Sequence, residues 1–191
     1  PNSGILKWHL REPIPEYVKN MTIDAVDDIN PENFDLIFSS VESEAARDIE
    51  TKFAKHVPVI STSAAYRYEA DVPILIPGIN DDHIGLLDIQ KKNRGWKGFV
   101  APLPNCTTTG LAITMRPLLD KFGAQKIIMT SMQAMSGAGR SPGVSALDIT
   151  DNIIPFIPKE EDKVRLETGK ILGKFVDGKI DPAKMKVSGT C

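Results

Sequence analysis

Cys106 stands in the run Pro104-Asn105-Cys106-Thr107-Thr108-Thr109-Gly110, where a short apolar stretch, Phe99-Val100-Ala101, gives way to a helical pattern. Leu111, Met115, Leu118, Leu119 and Phe122 recur behind it at helical spacing, and Gly123 supplies the stop. A thiol in the first turn of such a helix lies beside backbone N–H groups without an intrahelical partner and beside the positive end of the helix dipole, which favours the nucleophilic thiolate. A lone cysteine is more often a small apolar filler. Here, though, Asn105 and three consecutive threonines would serve a dry packing site poorly, while they offer amide and hydroxyl donors around a reacting carbonyl. The chemistry these residues suggest is attack by Cys106 on a carbonyl carbon.

The elements that position this sulfur can be read in order. Asp35-Leu36-Ile37-Phe38 predicts a buried strand that ends in Ser39 and Ser40, and a helix opens at Glu42-Ser43-Glu44 with Ala45, Ala46, Ile49 and Phe53 on one face. Val57-Pro58-Val59-Ile60 predicts the next strand, ending in Ser61-Thr62-Ser63. Further strands are expected at Met21-Thr22-Ile23, at Pro73-Ile74-Leu75-Ile76-Pro77, at residues 126–133, which end in Gln133, and at residues 185–190. Helices are expected over residues 81–92, 145–152 and 160–175, with a turn at Asp177-Gly178. Strand and helix alternate as in a parallel α/β sheet, whose ligands bind at the carboxyl ends of strands. Both serine-rich turns fall at such ends, although helix capping alone would also account for them. Ser136, Gly137 and Gly139 belong to a glycine-rich run through Gly143 that lets backbone approach a ligand closely. Glu167 and Lys170, three positions apart, would share a helix face at the rim of a stripe formed by Val164, Thr168, Ile171 and Phe175. As an exposed pair they would contribute only about 0.3 kcal/mol.

Composition narrows the class. With 41% hydrophobic and 25% charged residues in 191, the chain reads as a soluble globular protein of one or two domains. A net charge of -2 gives no reason to expect nucleic acid or an anionic membrane as partner, so small molecules are expected. No apolar run approaches the ~20 residues of a membrane span. Two widely separated cysteines fit neither a disulfide framework nor a metal site, which points to a reducing, cytoplasmic setting. A start at Pro1 and a close within a strand-like run suggest a segment of a longer protein.

Three motifs together, residues 104–110, residues 132–139 and Glu167-Thr168-Gly169-Lys170-Ile171-Leu172, resemble aspartate-β-semialdehyde dehydrogenase in their order and separation, over a span from Asp35 to Cys191. The resemblance implies a Rossmann-type NADP-binding domain, of which residues 1–104 would be the C-terminal portion. It also implies an α+β catalytic and dimerisation domain, of which residues 105–191 would be the N-terminal portion, in a homodimer or homotetramer. It implies a reaction of the aspartate pathway to lysine, threonine and methionine, in which a cysteine thiolate attacks the semialdehyde, hydride passes to NADP and phosphate releases an acyl phosphate. Cys106 matches the nucleophile and Gln133 the glutamine that orients substrate beside it. Glu167 matches the residue for the substrate ammonium, Lys170 and Arg67 match phosphate-binding cations, and Asn105 lies within the site. Ser39, Ser40, Ser63, Ser136, Gly137 and Gly139 resemble segments that line the cofactor. No GxxGxxG fingerprint occurs in the chain; it is expected before residue 1, and the carboxylate-binding arginine and general-base histidine are expected after Cys191. His9, His56 and His83 match nothing catalytic, read as ordinary surface or helix residues, and Cys191 is given no chemistry.

Three rivals remain at this level. An acyl-CoA reductase such as malonyl-CoA reductase shares the fold and cysteine but brings neither ammonium nor free phosphate for Glu167 and Lys170 to bind. A non-catalytic dimerising fragment would need none of the site residues. A cysteine hydrolase would need a histidine beside Cys106, and none of the three is near it in sequence.

Overall fold

The computed structural model describes residues 11–134 and 150–191. A single helical turn, α1 (Glu16–Lys19), precedes three short strands, β1 (Ile37–Ser39), β2 (Val59–Ser61) and β3 (Val100–Pro102). These form a parallel sheet in chain order, Ile37 opposite Val59 and Val59 opposite Val100. Helix α2 (Ser43–Ala54) connects β1 to β2, and α3 (Gly85–Arg94) leads into β3. Then come α4 (Cys106–Phe122), β4 (Lys126–Thr130), α5 (Glu160–Ile171), a β5 (Lys174–Val176) to β6 (Lys179–Asp181) hairpin and β7 (Lys186–Thr190). The last strand pairs in parallel with β4, Ile127 opposite Val187. The hairpin turn uses Asp177 and Gly178, both at positive φ (50° and 78°), the conformation that a two-residue turn between twisted strands requires.

Three apolar clusters hold these parts together. Phe53, Val59, Tyr66, Val72 and Val100 pack around the three-stranded sheet; Ile127, Val164, Val187 and Cys191 pack under the β4–β7 pair. Ile74 and Ile76 meet Ala112 of α4 and Ile171 and Leu172 at the end of α5, so the third cluster joins the two halves of the chain. Gly98 brings the entry to β3 hard against the start of β2, where a Cβ would stand 2.0 Å from the Val57 carbonyl oxygen.

Several expectations are corrected. Residues 73–77 form no strand: prolines at both ends remove ladder donors, and the Asn80 side chain takes over the backbone, accepting from Ile76 N at 2.8 Å and donating to Ile74 O at 2.8 Å. Met21 and Ile23 are exposed and unladdered, because no described strand pairs with them. β1 is a strand but not a buried one, since it lies at the sheet edge with Phe38 77% exposed. In α2, Glu50 is buried where Ala45 was expected to be. The stripe of α4 is rotated: Thr108 and Ala112 are buried while Leu118 and Phe122 face outward. α5 stops at Ile171, and Phe175 belongs to β5. His83 lies in a helical turn, one of the two settings expected for it, but is fully buried, its Nδ1 accepting from Asn80 Nδ2 at 3.0 Å and its Nε2 donating to Gly173 O at 3.3 Å. Burial holds its pKa below the ordinary histidine value. Of the expected 145–152 helix, residues 150–152 show turn and irregular backbone and the rest lies outside the described residues.

Candidate active site at the start of α4

Cys106 is the first residue of α4 and is exposed. Asn105 caps the helix, its Oδ1 accepting from Thr107 N at 2.9 Å and Thr108 N at 3.3 Å, so two of the orphan N–H groups are satisfied by the residue next to the sulfur. The backbone N–H of Asn105 in turn donates to Glu167 Oε2 at 2.7 Å. The other oxygen of Glu167 accepts from Arg67 Nη1 at 3.1 Å and from the Tyr68 hydroxyl at 3.2 Å. Glu167 therefore does not sit on a helix rim: its side chain is 0% exposed and that of Arg67 only 7%.

Arg67 is fixed on every nitrogen. Nε donates to Leu103 O and Nη2 to Thr62 O, both at 2.8 Å, which ties the guanidinium to the ends of β2 and β3. Its loop is anchored in turn by Arg94, which grips Asp71 with two hydrogen bonds of 2.6 Å and holds that carboxyl below the usual range. Lys170 closes the arrangement by donating to Arg67 O and Glu69 O, each at 2.8 Å. Burial lowers its pKa to about 8 against the opposing pull of Asp71, Glu69 and Glu167. The Tyr68 hydroxyl is pushed well above its ordinary value by burial and then by the Glu167 carboxylate, so it remains a donor.

Lys170, Arg67, Glu167 and Asn105 thus form one hydrogen-bonded chain that ends beside Cys106, although they come from positions up to 103 residues apart. Gln133 is exposed, beyond the end of β4. Ser39 turns its hydroxyl inward to Glu50 Oε1 at 2.7 Å, and Ser63 is buried against Ser43, Oγ to Oγ 3.2 Å. Ser40 is exposed and accepts from Thr62 Oγ1 at 3.4 Å. Ser136, Gly137 and Gly139 lie outside the described residues. Reading the sequence missed Tyr68, Glu50 and Glu160 as site neighbours; both glutamates occupy positions on apolar helix stripes, which is the signal that could have exposed them.

Comparison with known proteins gives the family. Residues 6–87 match the NAD binding domain of semialdehyde dehydrogenases and residues 115–191 match their dimerisation domain. The chain belongs to the semialdehyde dehydrogenase family. It is 46% identical over 185 residues to the aspartate-semialdehyde dehydrogenase of Archaeoglobus fulgidus, with 96% of this chain and 53% of that protein covered. It is 37% identical over 175 residues to the malonyl CoA reductase (NADP) of Metallosphaera sedula, with 91% and 49% covered. The crystal structure of aspartate semialdehyde dehydrogenase with NADP from Candida albicans superposes with a TM-score of 0.82 at 36% identity, covering 97% of this chain and 54% of that one. The chain spans about half the length of the curated relatives it matches.

The two thiols of this family member differ in access, since Cys106 is exposed and Cys191 is buried among Ile127, Val164 and Val187. Brief treatment of the folded protein with iodoacetamide at neutral pH should therefore carbamidomethylate Cys106 alone, as read by peptide mass spectrometry. Equal labelling of Cys191 would contradict this description of the core.

Proposed function

We propose that the protein containing this chain interconverts L-aspartate-4-semialdehyde and L-aspartyl-4-phosphate with NADP, through a thioester on Cys106. The observation that supports the reading is the series of hydrogen bonds from Lys170 to the Arg67 carbonyl, from the Arg67 guanidinium to Glu167 and from Glu167 to the N–H of Asn105, the residue before an exposed cysteine at a helix start. In the oxidative direction the Cys106 thiolate bonds to the aldehyde carbon and a proton goes to the resulting oxyanion, giving a thiohemiacetal. Bound NADP would supply the acceptor for the hydride that leaves this carbon, while the hydroxyl proton passes to water and the carbonyl of the thioester forms. A phosphate oxygen then bonds to the thioester carbon and the C–S bond breaks, returning the thiolate and releasing the acyl phosphate. Gln133 and the backbone N–H of Cys106 would hold the carbonyl oxygen.

Lys170 and Arg67 would hold phosphate, with the amide of Asn105 at its margin. Lys170 has one N–H left after its two carbonyl contacts, and Arg67 has two of its five. Glu167 would take the substrate ammonium in exchange for the Tyr68 hydroxyl, the one partner on a half-exposed side chain. The residues at the carboxyl edge of the three-stranded sheet fit a dinucleotide: Ser40 presents an open hydroxyl, while Ser39 and Ser63 support the turns from beneath. Ser136, Gly137 and Gly139 would complete that edge, and residue 104 would mark the change from cofactor domain to catalytic domain. A second copy of the protein would cover apolar surface that this chain leaves open, notably Ile128 (86% exposed) and Phe122. No described helix is long and apolar enough to cross a membrane, and a reducing cytoplasm suits a thiol nucleophile.

The test is a spectrophotometric assay of the complete protein with aspartate semialdehyde, NADP and phosphate, run against NADPH with malonyl-CoA. Phosphate-dependent NADPH formation is expected, and reduction of malonyl-CoA alone would overturn the choice. The same assay reads Lys170. Because only its protonated form attracts phosphate, the KM for phosphate should be level below pH 8 and should rise above it, by up to about tenfold per pH unit, until the pKa of the phosphate complex is reached. Lys170→Met should remove this break, with a KM about 10- to 150-fold higher throughout the accessible range.

A further inference from the structure

Glu160 opens α5 and is 4% exposed, although neither the cofactor edge nor the phosphate cations involve it. Its Oε1 accepts from Thr107 Oγ1 at 3.1 Å, and Lys163 Nζ approaches Oε2 only to 3.5 Å. Seven positions further along the same buried face of α5, Glu167 accepts the N–H of Asn105. Two buried carboxylates on one helix therefore hold the residue before Cys106 and the residue after it. The residue that precedes Glu160 adds a second sign of constraint. Lys159 has φ 66° and ψ 0°, a left-handed conformation that a residue with a Cβ adopts only when its surroundings hold it there, and this turn fixes where α5 begins.

The first turn of a helix has free N–H groups and tends to fray. A nucleophile at its first residue would share that motion, and displacement of a reacting atom by about 1 Å can cost ~100-fold in rate. We infer that Glu160 is a positioning residue for Cys106: through the Thr107 hydroxyl it fixes the downstream side of the sulfur, as Glu167 fixes the upstream side through Asn105. The inference rests on the reading of Cys106 as nucleophile. What Glu160 supplies is an acceptor at a set place, and an amide oxygen can supply the same.

The experiment compares Thr107→Val, Glu160→Ala and Glu160→Gln in the complete protein, with Cys106→Ser as control. Thr107→Val and Glu160→Ala should lower kcat about 10- to 100-fold with KM for phosphate and NADP nearly unchanged, while Glu160→Gln should restore kcat to within about threefold of the parent. A merely structural role would lower melting temperatures and leave kcat per folded molecule intact, so unchanged kcat in Thr107→Val overturns the inference. So does a Gln variant as slow as the Ala variant, which would assign the effect to charge. An active Cys106→Ser variant would remove the nucleophile reading and this inference with it. An inactive one beside a fully active Thr107→Val would remove the positioning role alone.

Discussion

Replacing Cys106 with alanine should reduce phosphate-dependent aldehyde oxidation by on the order of 10⁴-fold or more while the melting temperature stays within a degree or two of the parent. The size of the loss follows from covalency. If the sulfur forms the bond that makes the aldehyde oxidisable and later carries the acyl group, no neighbour can substitute for it, and Asn105 and Thr107 retain only their hydrogen-bonding parts. The small structural effect follows from the position. Cys106 is exposed, alanine is the best helix former, and the Asn105 cap that satisfies Thr107 N and Thr108 N does not use the sulfur. Stopped-flow turnover and a thermal melt of the same preparation check both halves. Residual turnover within tenfold of the parent would mean that the chemistry runs without the thioester.

How much of this was legible beforehand depends on whether the deciding partner is local. The Cys106 turn was readable because its cap is the preceding residue and its strand and helix are both signalled within twenty positions. β2, β3 and α2 were readable from apolar runs bounded by serines and charges. Residues 73–77 were misread because an apolar run says that a segment is buried without saying which groups take its backbone hydrogen bonds; here Asn80 does so in place of a neighbouring strand. Glu167 and Lys170 read as a surface pair because their spacing alone shows no more. Yet Glu160, Val164, Glu167, Thr168 and Ile171 form one helical stripe, all of it buried, and a carboxylate on such a stripe requires a partner inside the fold. That partner, Arg67, lies 100 residues away, a separation that no local pattern spans. The exposed Phe38 and Phe122 show the converse limit, since apolar spacing marks a surface as coverable without saying what covers it.

The buried Arg67–Glu167 pair yields the second large effect. Arg67→Met should destabilise the protein by about 3–5 kcal/mol, because it leaves the Glu167 carboxylate shut from water without its counter-charge and also strips donors from Leu103 O and Thr62 O. Tyr68 and the Asn105 N–H would still bond to the carboxylate, but neither carries a positive charge. Glu167→Gln should also be costly, since it leaves the guanidinium uncompensated. The double variant should cost less than the two single losses added, because neither charge is then left alone. Urea unfolding of the four proteins measures the coupling. A loss below 1 kcal/mol in Arg67→Met, or strict additivity in the double variant, would show that the pair is not the clamp described here. The same cycle clarifies the phosphate site: Arg67 both holds the fold around Asn105 and faces the proposed anion, so its removal mixes stability with affinity. Among the described residues Lys170 hydrogen-bonds only to two carbonyl oxygens, and its neutralisation is therefore the cleaner measure of the proposed phosphate binding.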